Sequence, residues 1–190
     1  MAVSDTDLIV KAQHGDSLAF EELIYRYDRN VLSMALKFTS DADDAKDIYQ
    51  EVFIRVFRGL KKFQFRSEFS TWLFRITTNV CISFKRSKKK HDFISINEDD
   101  NEDRIESNPL LISNEDSSPE QYADNLEISM QVNNALELLS SKQKMVFVLK
   151  HYDGYKIKEI ASMLQCGEGT VKKYLFDGIR KLRYHLKNYY

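Results

Sequence analysis

Two clusters of side chains in this 190-residue chain have types and spacing suited to chemistry. The first is "KKFQFR", in which Lys61, Lys62 and Arg66 alternate with Phe63 and Phe65. Aromatic faces stack unpaired bases, and interleaved cations follow a phosphate backbone, so this pattern suits single-stranded nucleic acid. The same phenylalanines could instead anchor the loop to a core. The second cluster begins in "STWLFRITTN", which holds the only tryptophan, Trp72. At about 100° per residue, Leu73, Ile76, Val80 and Phe84 form one face and read as core. Arg75, Asn79 and Arg86 form another, with Ser83 nearby, and Trp72 falls on the border. A carboxamide can read a base edge and guanidiniums can hold phosphates. A lone tryptophan more often fills a core, so both roles stay open.

No arrangement suggests a metal site. Four histidines and two cysteines, Cys81 and Cys166, lack metal-ligand spacing, and the two thiols are far apart. The expectation is no metal, no cofactor and no disulfide. The start, "MAVSDTDLIVKAQHGD", lacks the basic and apolar regions of a signal peptide. No apolar run is long enough to cross a bilayer. A cytoplasmic protein is expected, without direct membrane insertion.

The elements that must position these clusters read as helices. The chain is 43% hydrophobic and 30% charged, enough to build a core and stay soluble. Its net charge of −1 hides segregation: residues 1–91 carry +4, 92–127 carry −11 and 128–190 carry +6. Both prolines lie in the acidic stretch, which has no sustained period and reads as a flexible linker over 92–120. A long surface loop is the alternative. The expected fold is all-α, with two small helical domains, 1–91 and 121–190, joined by that linker.

In the first domain a short helix, a turn at Gly15-Asp16 and a long helix precede "SDADDAKDIYQEVFIRVFRGL". There Asp41, Asp43 and Asp44 suit a helix start, and Gly59 suits its end. In the second domain helices are expected over 121–138, 141–152, 156–164 and 168–187. "EIASMLQCGEGTVKKYL" is a helix-turn-helix candidate, with Ile157, Ile160, Ala161 and Leu164 facing Val171, Leu175, Ile179 and Leu182. A plain helical hairpin has the same apolar spacing.

Taken in order, "SDADDAKDIYQEVFIRVFRGL", "FRSEFSTWLFRITTNVCISFKR" and "LSSKQKMVFVLKHYDGYKIKEIASMLQCGEGTVKKYLFDGIRKLR" resemble bacterial RNA polymerase sigma factors. The likeness is to the small, two-domain extracytoplasmic-function (ECF) group and spans nearly the whole chain. It implies a non-enzymatic subunit that joins core RNA polymerase, recognises −35 and −10 promoter elements and promotes DNA opening.

By resemblance, Asp44, Asp47, Gln50, Glu51 and Arg55 supply polar contacts to core polymerase, with Phe53 as an apolar anchor. Lys61, Lys62, Phe63, Phe65, Arg66, Trp72, Arg75, Asn79, Ser83 and Arg86 serve −10 DNA, with Trp72 wedging the duplex where strands part. Glu168, Gly169, Thr170, Lys172, Lys173, Tyr174 and Phe176 approach −35 DNA. The linker either threads basic channels of the polymerase or is a solubilising tether. The implied partners are core polymerase, promoter DNA and an anti-sigma factor, often held at the membrane. No inhibitory extension is expected at either end.

This chain departs from the group's pattern at four positions. Gln165 stands where a turn glycine is usual, so either it adopts a mildly costly left-handed conformation or the turn is shifted. Gly167 stands where a Ser-type cap is usual. Tyr174 and Asp177 also replace residues that are usually basic, which should alter either the −35 sequence read or the angle of the helix. A helix-turn-helix regulator of duplex DNA that never joins polymerase is the alternative. The aromatic-basic loop argues against it, since duplex readers need no single-strand pocket.

Overall fold

The computed structural model describes residues 3–95 and 130–187, and the side chains of 3–88 and 130–187. The described residues are helical with connecting turns, in the all-α class expected. The expected linker, apart from 92–95, and the beginning of the helix expected over 121–138 lie outside them. In chain order the helices are α1 (Asp5–Gln13), α2 (Ser17–Thr39), α3 (Ala42–Leu60) and α4 (Phe69–Ser95). After the gap come α5 (130–137), α6 (Ser141–Phe147), α7 (Ile157–Leu164) and α8 (Glu168–Leu186).

Side-chain caps set the starts. Ser4, Asp16 and Asp41 accept backbone N–H groups from the first turns of α1, α2 and α3. Each satisfies donors that the helix itself leaves unpaired. Ser140 and Gln143 form a reciprocal capping box on α6. The turn between α1 and α2 uses Gly15 at φ +98°, a conformation open to glycine at little cost. The helix expected over 141–152 instead changes at Val148 into a wider π-turn that runs to Tyr152.

The first four helices enclose Leu8, Ile9, Leu23, Val31, Phe38, Ile48, Val52, Val56 and Leu73. That core continues without a break into Met145, Val146, Leu149, Ile160 and Val171. The two halves therefore pack against one another, chiefly through α7 and α6 on α4. Phe74 and Tyr155 rings meet across the junction at 6.0 Å, and Lys37 pairs with Asp153 at 2.6 Å. A second, smaller cluster of Ala135, Leu136, Leu139 and Leu182 holds α5 to α8.

A lysine is buried at this junction. Lys144 is 0% exposed and ion-paired with Glu137, which also meets Lys85 of α4 at 2.9 Å. Both ammonium groups lie over the Phe38 ring, 5.6 and 5.9 Å from its centroid. Burial pushes the Lys144 pKa down despite the Glu137 charge. Burial, the largest single influence, would raise Glu137, but the charges and hydrogen bonds of Lys144 and Lys85 together outweigh it and hold the carboxyl below its ordinary value.

Removing the carboxylate leaves Lys144 buried without its counter-charge. Glu137→Gln is expected to lower stability by about 1–3 kcal/mol. That is less than for a fully enclosed pair, because half of the Glu137 side chain remains in water. Lys144→Met, which removes the buried charge itself, should cost less. Urea unfolding of the two variants checks the order, and a costlier Lys144→Met would refute it.

Candidate nucleic-acid interface

The α3–α4 connection carries the aromatic-basic loop. Leaving α3, the chain turns through bonds from Lys62 N–H to the Gly59 carbonyl (2.9 Å) and from Phe63 N–H to the Leu60 carbonyl (3.0 Å). Phe63 is 8% exposed, and its ring sits 5.1 Å from Phe65, 6.0 Å from Phe69 and 5.1 Å from Trp72. It is therefore the anchor of the loop. Phe65 differs: it is 45% exposed and takes a left-handed φ of +55°. Such a conformation is costly for a bulky residue and needs support from its surroundings. Lys61, Lys62 and Arg66 are exposed around it.

Beside Phe65 lies a cleft of about 390 Å³ between the loop and α1, lined in part by Asp5, Tyr27, Arg66 and Phe69. Asp5 is held there by Arg26 at 2.7 Å and by the Tyr27 hydroxyl, which donates to it. Burial first, then the Asp5 carboxylate, raises the Tyr27 pKa, so the phenol stays protonated and keeps donating.

Trp72 is half-buried, as its border position implied. One edge of the indole lies over Gly59: a Cβ there would come within 3.0 Å of Trp72 Cζ2. Gly59, expected near the end of α3, is its last residue but one. Its lack of a side chain is what lets the indole approach. Along α4, Asn79, Ser83 and Arg86 are exposed. Arg75 is half-buried, with its Nε enclosed and unpartnered. The deepest residues of α4 are Leu73, Thr77, Thr78, Val80 and Cys81, while Ile76 and Phe84 are half-buried. The wheel placed the core face one residue off because α4 is packed by α2 and α3 from its own half and by α6 and α7 from the other. The Thr77 hydroxyl donates to the Leu73 carbonyl (3.0 Å), so its burial strands no polar group.

On α3, Asp47 and Gln50 are exposed, and Glu51 pairs with Arg55 at 2.7 Å. Asp44 is half-buried and pairs with Lys88 of α4 at 2.6 Å. Phe53 is not available as an apolar anchor here: it is 9% exposed and packed edge-on against Tyr49. The exposed apolar side chains are Ile54 and Phe57, the latter 63% exposed. Both were missed, although their helical spacing from Gln50 puts all three on one stripe.

In the helix-turn-helix, Gln165 is left-handed at φ +51°, ψ +47°, the first of the two outcomes that its replacement of a glycine left open. Cys166 N–H reaches back to the Ala161 carbonyl at 3.0 Å and closes α7. Gly167 precedes α8 without any side-chain cap. Glu168, Gly169, Thr170, Lys172, Lys173 and Phe176 are exposed, whereas Tyr174 is half-buried against the core. Asp177 is half-buried and lies 3.6 Å from Arg180.

Among the described residues there is no group of three or more potential metal ligands. Burial pushes the Cys81 thiol up to about 12, which makes it unreactive.

Because Trp72 is the only tryptophan, its emission reports on this contact directly. Gly59→Val should drive the indole outward, shift its emission to longer wavelength and cost about 1–3 kcal/mol through overpacking. Unchanged emission and stability would show that the close approach is dispensable.

Comparison with known proteins matches residues 23–91 to sigma-70 region 2 and residues 129–182 to sigma-70 region 4. RNA polymerase sigma-H factor of Pseudomonas aeruginosa is 31% identical over 174 residues, covering 90% of this chain and 88% of that one. ECF RNA polymerase sigma-E factor of Escherichia coli is 30% identical over 174 residues, covering 92% and 90%. Two solved structures share the fold. CnrH, in complex with the cytosolic domain of CnrY, has a TM-score of 0.65 at 23% identity and covers 97% of both chains. Sigma factor RpoE, in complex with the anti-sigma factor NepR from Bartonella quintana, has a TM-score of 0.62 at 21% identity and covers 88% of this chain and 96% of that one. The chain belongs to the sigma-70 family of RNA polymerase sigma factors, in its ECF group.

Proposed function

We propose that this chain is an alternative sigma factor that joins core RNA polymerase, reads −10 and −35 promoter elements and promotes strand opening. The observation that carries this reading is the loop–helix pair in region 2. An exposed aromatic side chain, flanking cations and a cleft lie beside a helix that presents an amide and an arginine on its outer face. Single-stranded bases need an aromatic face and a cationic track together.

In this reading Lys61, Lys62 and Arg66 follow phosphates, and Phe65 with the adjoining cleft receives an unpaired base. Phe63 holds the loop in place. Trp72 stands at the edge of the opening duplex, Asn79 reads a base, and Arg75, Ser83 and Arg86 extend the contact. Glu168, Gly169, Thr170, Lys172, Lys173 and Phe176, at the open end of α8, meet −35 DNA. Asp47, Gln50, Glu51 and Arg55 dock on polymerase, joined by Ile54 and Phe57 as the apolar contacts. Tyr174, Asp44 and Phe53 act from behind these surfaces, through packing or an ion pair. The protein works in the cytoplasm as a non-catalytic subunit and is controlled by an anti-sigma factor. Two of its structural neighbours are bound to proteins of that role or to a cytosolic domain. No helix among the described residues is long and apolar enough to cross a membrane.

Reconstitution with sigma-free core polymerase should give initiation at defined promoters. Folded protein that supports no promoter-dependent start would refute the proposal. Trp72→Ala should impair opening of duplex promoters more than use of a pre-melted template; equal losses would mark a folding role. Asn79→Ala should flatten base preference at one −10 position by about 1–3 kcal/mol, read from affinities for single-base variants of the element.

A further inference from the structure

The aromatic-basic loop is fastened by a residue far from it in sequence. Gln13, the last residue of α1, donates from its single amide nitrogen to the carbonyls of Leu60 and Phe63, each at 2.9 Å. Both N–H bonds of that nitrogen are thereby engaged. The carbonyls at the end of a helix have no partner within it, and these two flank the turn that launches the loop. The Leu60 carbonyl also accepts from Phe63 N–H.

Gln13 itself is held in place from both sides. The start of α1 is tied to α2 through Asp5, which pairs with Arg26 and accepts from the Tyr27 hydroxyl. The other end of the helix turns at Gly15. Beyond Phe63, two residues on, the backbone reaches its left-handed position at Phe65, whose ring and neighbours border the cleft that α1 also lines. The Phe63 ring is locked against Phe69 and Trp72, and its carbonyl is locked by Gln13. Rotation of the peptide between Phe63 and Gln64 is therefore restrained from both sides just before Phe65.

We propose that Gln13 is a positioning residue for −10 recognition: its carboxamide bridges the Leu60 and Phe63 carbonyls and fixes the direction in which Phe65 and Arg66 meet the single strand. This rests on the reading of the loop as the −10 reader. A neutral group with two hydrogens on one nitrogen suits the task. A glutamate of the same length has no hydrogen to donate at neutral pH and would face both carbonyls with like charge. A methionine fills the space and donates nothing.

The test uses full-length protein reconstituted with core polymerase. Binding is measured to a fork template with a single-stranded −10 element, to the same fork with that element scrambled, and to a duplex bearing only the −35 element. Gln13→Glu and Gln13→Met should each weaken binding to the correct fork by about tenfold, as for the loss of two hydrogen bonds at a binding loop. The preference for correct over scrambled sequence should fall with it. Binding to core polymerase and to the −35 duplex should stay within about twofold, since neither contacts the loop.

A merely structural role would lower the affinities for the correct fork, the −35 duplex and core polymerase together, in proportion to the protein unfolded. That result, or wild-type fork selectivity in Gln13→Met, would overturn the inference. Wild-type protein that shows no preference for the correct fork would instead overturn the −10 reading on which it rests. Thermal melting of each variant identifies loss through unfolding, and Gln13→Met keeps the test open should Gln13→Glu fail to fold.

Discussion

The burial of α4 is the constraint from which the rest of the structure follows. A helix that offers one side to a ligand must be gripped along the other, and here the grip is close to complete. Leu73, Thr77, Val80 and Cys81 are shut away from water, with α2 and α3 packed on the helix from one half and α6 and α7 from the other. The buried threonines cost little because their hydroxyls return to carbonyls of their own helix. What remains outward is the stripe of Asn79, Ser83 and Arg86. A side chain that reads a base gains specificity when its backbone cannot yield, because a wrong partner then leaves polar groups unpaired.

The loop before α4 solves a harder problem, since a connecting segment has no ladder of its own to hold it. It borrows rigidity from three sources. Phe63, Phe69 and Trp72 form an aromatic plug. Gly59 leaves room for the indole against α3. The Gln13 carboxamide closes the turn from α1. Only with that support can a phenylalanine persist at a left-handed φ, where its ring stands partly in solvent instead of joining the plug.

Much of this was legible in the sequence because it obeys local rules. Apolar recurrence gave the helices, and the aspartates of "SDADD" gave the start of α3. The substitution of Gln165 for a glycine left a choice between a left-handed residue and a shifted turn, and the structure takes the first. Other features obey no local rule. Phe53 and Ile54 are adjacent and both apolar, and only the placement of α3 decides that the first is core and the second exposed. Lys144 looks like any surface lysine until Glu137, Lys85 and Phe38 close around it. Gln13 is a polar residue at the end of a short helix, and its partners lie 47 and 50 residues away. Side chains that act through distant backbone leave no periodic trace.

The packing of α7 on α4 has a consequence in terms of reach. Helix α8 lies one helix beyond α7, so two helix-packing distances, about 20 Å, separate it from α4. Elements named for positions 10 and 35 are some 25 base steps apart, which is roughly 85 Å along straight duplex DNA at 3.4 Å per step. The 34 residues between Ser95 and Met130 could extend over at most about 120 Å, enough to bridge that span. A molecule shaped as described here therefore cannot straddle both elements. For a chain that reads both, the distance between them acts as a ruler: the ion pairs of Lys37 with Asp153 and of Lys85 with Glu137 must part before it can be measured out.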